Sequence, residues 1–360
     1  MADNGPPIRA RSFLSLDDAP LKALLLPFDD GALPWPAQGA IAFLRARDGW
    51  ALRQYPLQAL GCEQGFKPLA DGLRAGGLDV RPRLDDAAAA ALVLVLPPRQ
   101  RDEAQALLAR AVALAAPGAR VVAAVANDEG AKSRERDLRQ LAGLAGTLAK
   151  FHCRVFWTPP LHGTHDPALL QRWRHADAPR PILEGRYASR PGVFAWDRID
   201  PASALLAAHL PADLRGHGAD LGAGWGYLAD EVLARAPQVT ALDLYEAEAR
   251  ALELARANLA RHEGRALLSF HWHDVAAGLP RDGYDFIVSN PPFHAHDRGD
   301  RPELGQRFIE VAAHALRPGG RLLLVANRHL PYEAALARAF ATRRVLAEDG
   351  GFKVIEGVKA

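Results

Sequence analysis

Cysteine is almost absent from this chain. Only Cys62 and Cys153 occur in 360 residues, far apart and in no metal-like spacing. That argues against a disulfide-built scaffold and a cysteine metal site, and it fits a reducing cytoplasm. No uninterrupted apolar run approaches the roughly 18 residues that a membrane-spanning helix needs. Met1 to Pro7 carries no apolar stretch of the signal-peptide kind, so neither an anchor nor a leader is expected. An excess of one charge sign is lacking too. The formal net charge is +2, which neither declares nor excludes a polyanionic partner, because a local patch matters more than the total. What is plentiful is apolar surface: hydrophobic residues are 49% and charged residues 24% of the chain. Those proportions suit a soluble globular protein, and the length suggests two domains. Arginine greatly outnumbers lysine, which suits planar contacts to phosphates and bases.

The most informative stretch is Asp285-Phe286-Ile287-Val288-Ser289-Asn290-Pro291-Pro292-Phe293. It reads as an apolar strand that empties into a stiff loop. Two prolines fix φ and remove two N–H donors, so nearby carbonyls stay free to accept. Asn290 precedes a proline and is pushed toward an extended conformation. Its side-chain oxygen and the Pro291 carbonyl could both accept from one amino group, while Phe293 offers a ring face to a flat base. Upstream, Asp220-Leu221-Gly222-Ala223-Gly224-Trp225-Gly226 sits between an apolar run and a helical pattern. Glycines there allow a tight turn and close approach of a ligand to a helix N-terminus. The following strand, Val239-Thr240-Ala241-Leu242-Asp243, ends in a carboxylate about 20 residues on, the place that holds a ribose hydroxyl pair in nucleoside-binding folds. Histidine pairs at His271 and His273, and at His294 and His296, lack a third ligand at metal-site spacing, so no metal is expected.

Other segments read in order. A strand is expected over 40–44, another over 91–96 ending at Pro97-Pro98, a helix over 101–115, and a buried strand over 120–127. The same succession of strand, Pro-Pro, helix, Pro-Gly and strand ending Val-Ala-Asn recurs over 286–327. That is an internal duplication of one α/β domain. The first copy has no Asn before its prolines, and its glycine turn, expected at Leu25 to Gly31, holds one glycine. It is expected to be catalytically dead. Residues 1–160 form this degenerate domain, 161–190 a Pro-, His- and Arg-rich linker, and 191–360 the active domain. A helix is expected over 246–261, with Glu246 and Arg250 paired at i,i+4. Alternating strands and helices imply an open, mostly parallel sheet in each copy.

At this point the chain resembles the S-adenosylmethionine-dependent methyltransferases that carry an Asn-Pro-Pro-Phe/Tyr motif. It is most similar to the bacterial ribosomal RNA guanine-N2 methyltransferases, small-subunit methyltransferase C and large-subunit methyltransferase G. The residues that carry this are Pro191-Gly192-Val193-Phe194, Asp197-Arg198-Ile199-Asp200, Ser289 to His294, Val325-Ala326-Asn327-Arg328-His329-Leu330 and Gly351-Phe352-Lys353-Val354. The resemblance implies two tandem Rossmann-like domains, S-adenosylmethionine as cofactor, and a ribosomal RNA or ribosomal subunit as partner. Asn290, Pro291, Pro292 and Phe293 would be catalytic. Asp220, Gly222, Gly224, Gly226, Asp243, Asp274 and Asp200 would hold the cofactor, Asp220 at its methionine amino end and Asp274 at its adenine. Phe293, His294 and Arg328 would meet substrate, as would Lys132 and Arg134 from the first domain, which aids recognition in the family. A cytoplasmic monomer is expected.

The motif also serves adenine-N6 and protein-glutamine methylation, since all three targets present a planar –NH2. The duplicated first domain and the Val325 to Leu330 stretch favour guanine in ribosomal RNA. A dehydrogenase would have no use for Asn-Pro-Pro-Phe, and a non-catalytic RNA-binding protein would not need these motifs. Asn327 to Leu330 and His294 lean toward the large-subunit enzyme, and Leu330-Pro331-Tyr332 toward the small-subunit one. The reading adopted is guanine N2 of 16S rRNA, with the 23S rRNA enzyme as alternative.

Overall fold

The computed structural model describes residues 18–87, 89–163, 165–292, 302–329 and 331–360. The chain divides into two compact units, the first reaching Ala178 and the second beginning at Pro179. In the first, the strands are β1 (Ile41–Leu44), β2 (Leu60–Glu63), β3 (Asp79–Arg81), β4 (Ala90–Val95), β5 (Ala115–Ala126), β6 (Gly146–Lys150) and β7 (Cys153–Trp157). Its helices are α1 (Ala19–Asp29), α2 (Lys67–Ala75), α3 (Arg101–Leu114), α4 (Ala131–Ala142) and α5 (Pro167–Arg174).

The second unit opens with a small hairpin, β8 (Arg180–Ile182) and β9 (Tyr187–Ser189), and then α6 (Pro201–Ala208). The main body alternates β10 (Arg215–Leu221), α7 (Tyr227–Arg235), β11 (Gln238–Glu246), α8 (Ala249–Leu259), β12 (Leu267–Trp272), β13 (Tyr284–Ser289), α9 (Pro302–Ala315), β14 (Leu316–Asn327) and α10 (Glu333–Ala339). It closes on β15 (Thr342–Asp349) and β16 (Phe352–Val358).

The sheet orders are β3-β2-β1-β4-β5-β7-β6 and β12-β11-β10-β13-β14-β16-β15, the same pattern twice. In each, five strands run parallel, and a closing hairpin adds one strand antiparallel to them (β7, β16) and its edge partner (β6, β15). Duplication is therefore visible in topology as well as in sequence. The inner stretches of the central strands, such as Leu92 to Val95 and Phe286 to Val288, are continuously apolar and buried because helices cover both faces. In β14, Leu322, Leu324 and Ala326 enter one core with α9 and α10, whereas Leu323 and Val325 enter the opposite core with α6, α7 and α8. The period-2 alternation of a strand thus feeds two separate layers.

The first unit has lost the parts that make a ligand site. The stretch Leu25 to Gly31, expected as its turn, lies in α1 and just beyond it, capped by Asp18, whose Oδ1 accepts from the Leu21 N–H. The counterpart of the glycine turn follows β1 instead. Leu44 and Leu221 hold equivalent places beside the ends of β4 and β13. Arg45 then adopts φ 55° where Gly222 has φ 78°, a left-handed conformation that glycine adopts with less strain. Arg45 pairs with Glu103 and Arg47 with Asp18, so guanidinium groups stand where glycines leave room. No α-helix follows before β2, and Leu96 occupies the place of Asn290.

Two sequence expectations change here. Residues 161–190 do not form a free linker: Leu161, Leu169 and Trp173 enter the first unit's core, and Ile182 and Tyr187 enter a core of the second. Arg134 does not face solvent. It is 4% exposed and its Nη1 donates to Asp137 Oδ2 at 2.8 Å, because the i,i+3 spacing turns both charges to the buried side of α4. Lys132 is exposed.

Candidate active site

The site lies where β10 and β13 end together. Leu221 pairs with Ser289, and the Ser289 hydroxyl donates to the Leu221 carbonyl at 2.8 Å. Beyond those paired ends the glycine turn and Asn290 leave the sheet side by side. A Cβ on Gly222 would stand 3.7 Å from the Asn290 carbonyl oxygen. Gly224 has open space beside it, and its N–H donates to Glu246 Oε2 at 2.8 Å. Gly226 serves a different need: a Cβ there would lie 3.2 Å from the Ala255 backbone on α8, so the glycine permits close packing.

Asn290 is the best-defined group. Its Nδ2 donates to Asp200 Oδ2 at 2.9 Å and to Ser203 Oγ at 2.8 Å, whereas its Oδ1 is buried and has no hydrogen-bond partner among the described residues. Asp200, expected against the cofactor, is thus tied to the motif asparagine. It also caps α6 by accepting from the Ser203 N–H. Pro291 is buried and Pro292 exposed. Phe293 and His294 lie outside the described residues.

Asp220 is fully buried, and among the described residues neither carboxylate oxygen has a hydrogen-bond partner. Burial, with the Glu246 carboxylate nearby, pushes its pKa up to about 8; the Ala229 amide in the first turn of α7 works weakly the other way. Glu246 is also held above the ordinary carboxylate range by burial, though the Glu248 and Gly224 N–H groups donate to it. A pair of carboxylates sunk beside a glycine turn suits a ligand that brings a cation and hydroxyl donors.

Asp243 is not the strand-end acid. It sits inside β11, where Tyr284 donates to its Oδ2 at 2.6 Å and His217 Nε2 lies 3.1 Å from its Oδ1. Burial works against its charge, yet these partners hold its pKa below the usual range. The acid at the mouth is Glu246, which the local sequence pattern assigns to a helix. Arg250 pairs with Glu248 instead. Asp274, after β12, accepts from the Ala276 N–H and caps a short turn. Arg328 is exposed in the turn after β14, 4.0 Å from Glu348.

The chain matches the family model of the methyltransferase small domain over residues 184–356. It is 31% identical over 270 residues to a ribosomal RNA small subunit methyltransferase C from Serratia proteamaculans, spanning 73% of both chains. The chain belongs to the ribosomal RNA methyltransferase family of C and G enzymes. A large subunit methyltransferase G from Streptomyces avermitilis is 33% identical over 227 residues, an alignment of 59% of this chain and 56% of that protein. Among solved structures, a T. thermophilus 16S rRNA N2 methyltransferase in complex with AdoMet and guanosine has TM-score 0.76 and 25% identity, across 97% of this chain and 93% of that one. The family's cofactor, S-adenosylmethionine, fits the groups present. Asp220 is an orphaned buried carboxylate suited to an ammonium, Gly224 leaves space, and Glu246 presents a carboxylate at the strand end.

Proposed function

We propose that this protein transfers a methyl group from S-adenosylmethionine to the exocyclic N2 amine of a guanine in 16S rRNA of the 30S subunit. One observation carries the reading: Asn290 spends its amide nitrogen on Asp200 and Ser203 and keeps a buried, unpartnered oxygen beside the glycine turn. Names of relatives add support, the Serratia protein as a small-subunit enzyme and the T. thermophilus structure as a 16S rRNA N2 methyltransferase holding guanosine.

The cofactor supplies an activated methyl on a cationic sulfur. What remains for the chain is positioning. Asp220 would accept from the cofactor's ammonium, Glu246 from its ribose hydroxyls, and Asp274 from its adenine amino group. Asn290 Oδ1 and the Pro291 carbonyl accept from the guanine amino group, drawing its hydrogens aside so that the nitrogen lone pair points at the methyl carbon. As the N–C bond forms, the S–C bond breaks and its electron pair stays on sulfur. The extra proton on nitrogen leaves to water afterwards, so no general base is needed first. Phe293 stacks on the base, which enters unpaired or extruded. Arg328 serves the substrate side, and the first unit supports recognition through exposed cations such as Lys132.

Replacing Asn290 with alanine should lower turnover about a hundredfold or more, as for loss of one oriented polar group in other transfer reactions. Binding of S-adenosylhomocysteine should persist. Near-normal turnover in that variant would refute the mechanism. The substrate is tested by methyl transfer from labelled S-adenosylmethionine to rRNA and to 30S and 50S subunits from cells lacking the gene, with nucleoside analysis. Label in N2-methylguanosine of the 30S subunit is the expected result. Label in the 50S subunit assigns the chain to the large-subunit enzymes, as the Streptomyces relative is named. Label in N6-methyladenosine or in protein overturns the guanine reading.

A further inference from the structure

The polarity of the Asn290 amide is set by two residues nearly ninety positions earlier. A carboxylate accepts hydrogen bonds and does not donate. With Asp200 Oδ2 at 2.9 Å, the amide atom facing it is therefore nitrogen, and the oxygen faces the other way. Ser203 Oγ takes the second amide hydrogen at 2.8 Å. Both hydrogens are thus committed inside the protein, and Oδ1 alone remains for a ligand. The grip does not drift, because Asp200 is the N-cap of α6 and the Ser203 N–H donates to the same Oδ2 at 2.9 Å. Ser203 itself is buried in the first turn of that helix.

We propose that Asp200 and Ser203 are positioning residues that lock Asn290 as an acceptor, and that this lock makes the site select bases bearing an amino group over those bearing a hydrogen or an oxo group there. The inference rests on the proposed reaction at Asn290 and adds what determines its selectivity. A released amide turns over at little cost and offers N–H as readily as oxygen, and an amino group then meets a donor. A site built to accept from N–H rejects the analogue lacking it because its buried acceptor is left unpaired.

The probes are guanosine and inosine, which differ at the 2-amino group, bound to the protein saturated with S-adenosylhomocysteine. Asp200→Gly removes the oxygen that both N–H groups share and costs only a few tenths of a kcal/mol as a helix cap, Ser203→Ala removes the second acceptor, and Ser203→Thr retains a hydroxyl. In the wild type guanosine should bind at least tenfold tighter than inosine. Asp200→Gly and Ser203→Ala should each bring that ratio down several-fold and lower kcat for RNA about tenfold, with KM and S-adenosylhomocysteine affinity within twofold. Ser203→Thr should restore both. Thermal melting identifies any variant that is unfolded, and Ser203→Thr against Ser203→Ala then still decides. An unchanged ratio and kcat in folded variants overturns the lock. So does a loss of S-adenosylhomocysteine binding that matches the loss of turnover, which would place Asp200 on the cofactor. A wild type with no guanosine preference and no label in N2-methylguanosine refutes the proposed reaction itself.

Discussion

At Asp220 the fold holds a carboxylate with no exposure and, among the described residues, no hydrogen-bond partner, an arrangement that is costly without a bound cation. Its pKa, raised from 3.8 to about 8 by burial and then by Glu246, has a sign that can be worked out. Between those two values the folded protein keeps a proton that the unfolded chain has lost, so stability falls as pH rises across the window. Glu246, raised in the same direction, adds to the slope. Asp220→Asn removes most of it. Thermal melts of the ligand-free protein from pH 5 to 9 should show a flatter profile for the variant and a higher Tm than wild type at pH 8. Calorimetry should show S-adenosylhomocysteine binding about tenfold weaker, the loss of one charge-assisted hydrogen bond. A variant that binds normally would remove Asp220 from the cofactor site. Asp220, Gly222 and Asn290 could be found from sequence because each belongs to a short motif whose chemistry is local. Ser203 and the orienting role of Asp200 could not, since their partner lies 87 and 90 residues away and a serine in the first turn of a helix carries no signal of its own.

Among elements, the hairpin β8–β9 is held by a buried acid as well as by Asn258, whose side chain pairs with the Ala188 backbone. Asp230 on α7 is fully buried. It accepts from the Tyr187 hydroxyl at 2.6 Å, Arg186 Nη2 at 3.0 Å and Arg261 Nε at 2.9 Å, with His262 Nε2 at 2.7 Å. The hairpin, α7 and the short turn after α8 thus meet at a single carboxylate. Removing one member of a buried charged group strands the others, so Asp230→Ala should cost about 3 kcal/mol, read as a lowered denaturation midpoint at unchanged m-value. An effect under about 0.5 kcal/mol, typical of a surface site, would show that the pin is redundant. Element boundaries explain the main misreading of the site. The apolar run of β11 continues through Leu244 and Tyr245 to Glu246, whereas Glu246 and Arg250 also fit helical i,i+4 spacing. Local pattern permitted both assignments; parallel pairing with β12, in register as far as Glu246 and Trp272, decided it.

Over the whole molecule, the duplication was legible because strand, Pro-Pro, helix, Pro-Gly and strand recur in order, while the divergence of the first unit was legible only in part. Absence of Asn before Pro97 can be read directly; the replacement of its ligand turn by Arg45 to Arg47 requires the sheet register. Most arginines of that unit are tied to carboxylates, as at Arg53, Arg110 and Arg154. Arg99, Arg101, Lys132 and Arg136 differ: all four are exposed, and among the described residues they have no ion-pair partner. Burial depresses the pKa of the buried Arg134, and the charges of Arg101 and Arg136 act on it in the same direction, so cations of α3 and α4 repel one another here even though Asp102 and Glu103 share the first turn of α3. Phosphates relieve that repulsion, and counterion release makes such binding salt-dependent. Lys132→Glu with Arg136→Glu should therefore weaken rRNA binding at low salt and reduce the slope of log affinity against log salt by about one for each phosphate no longer neutralised. S-adenosylhomocysteine affinity, a property of the second unit, should not change. An unaltered slope would take this face out of RNA recognition and leave the first unit a supporting role alone.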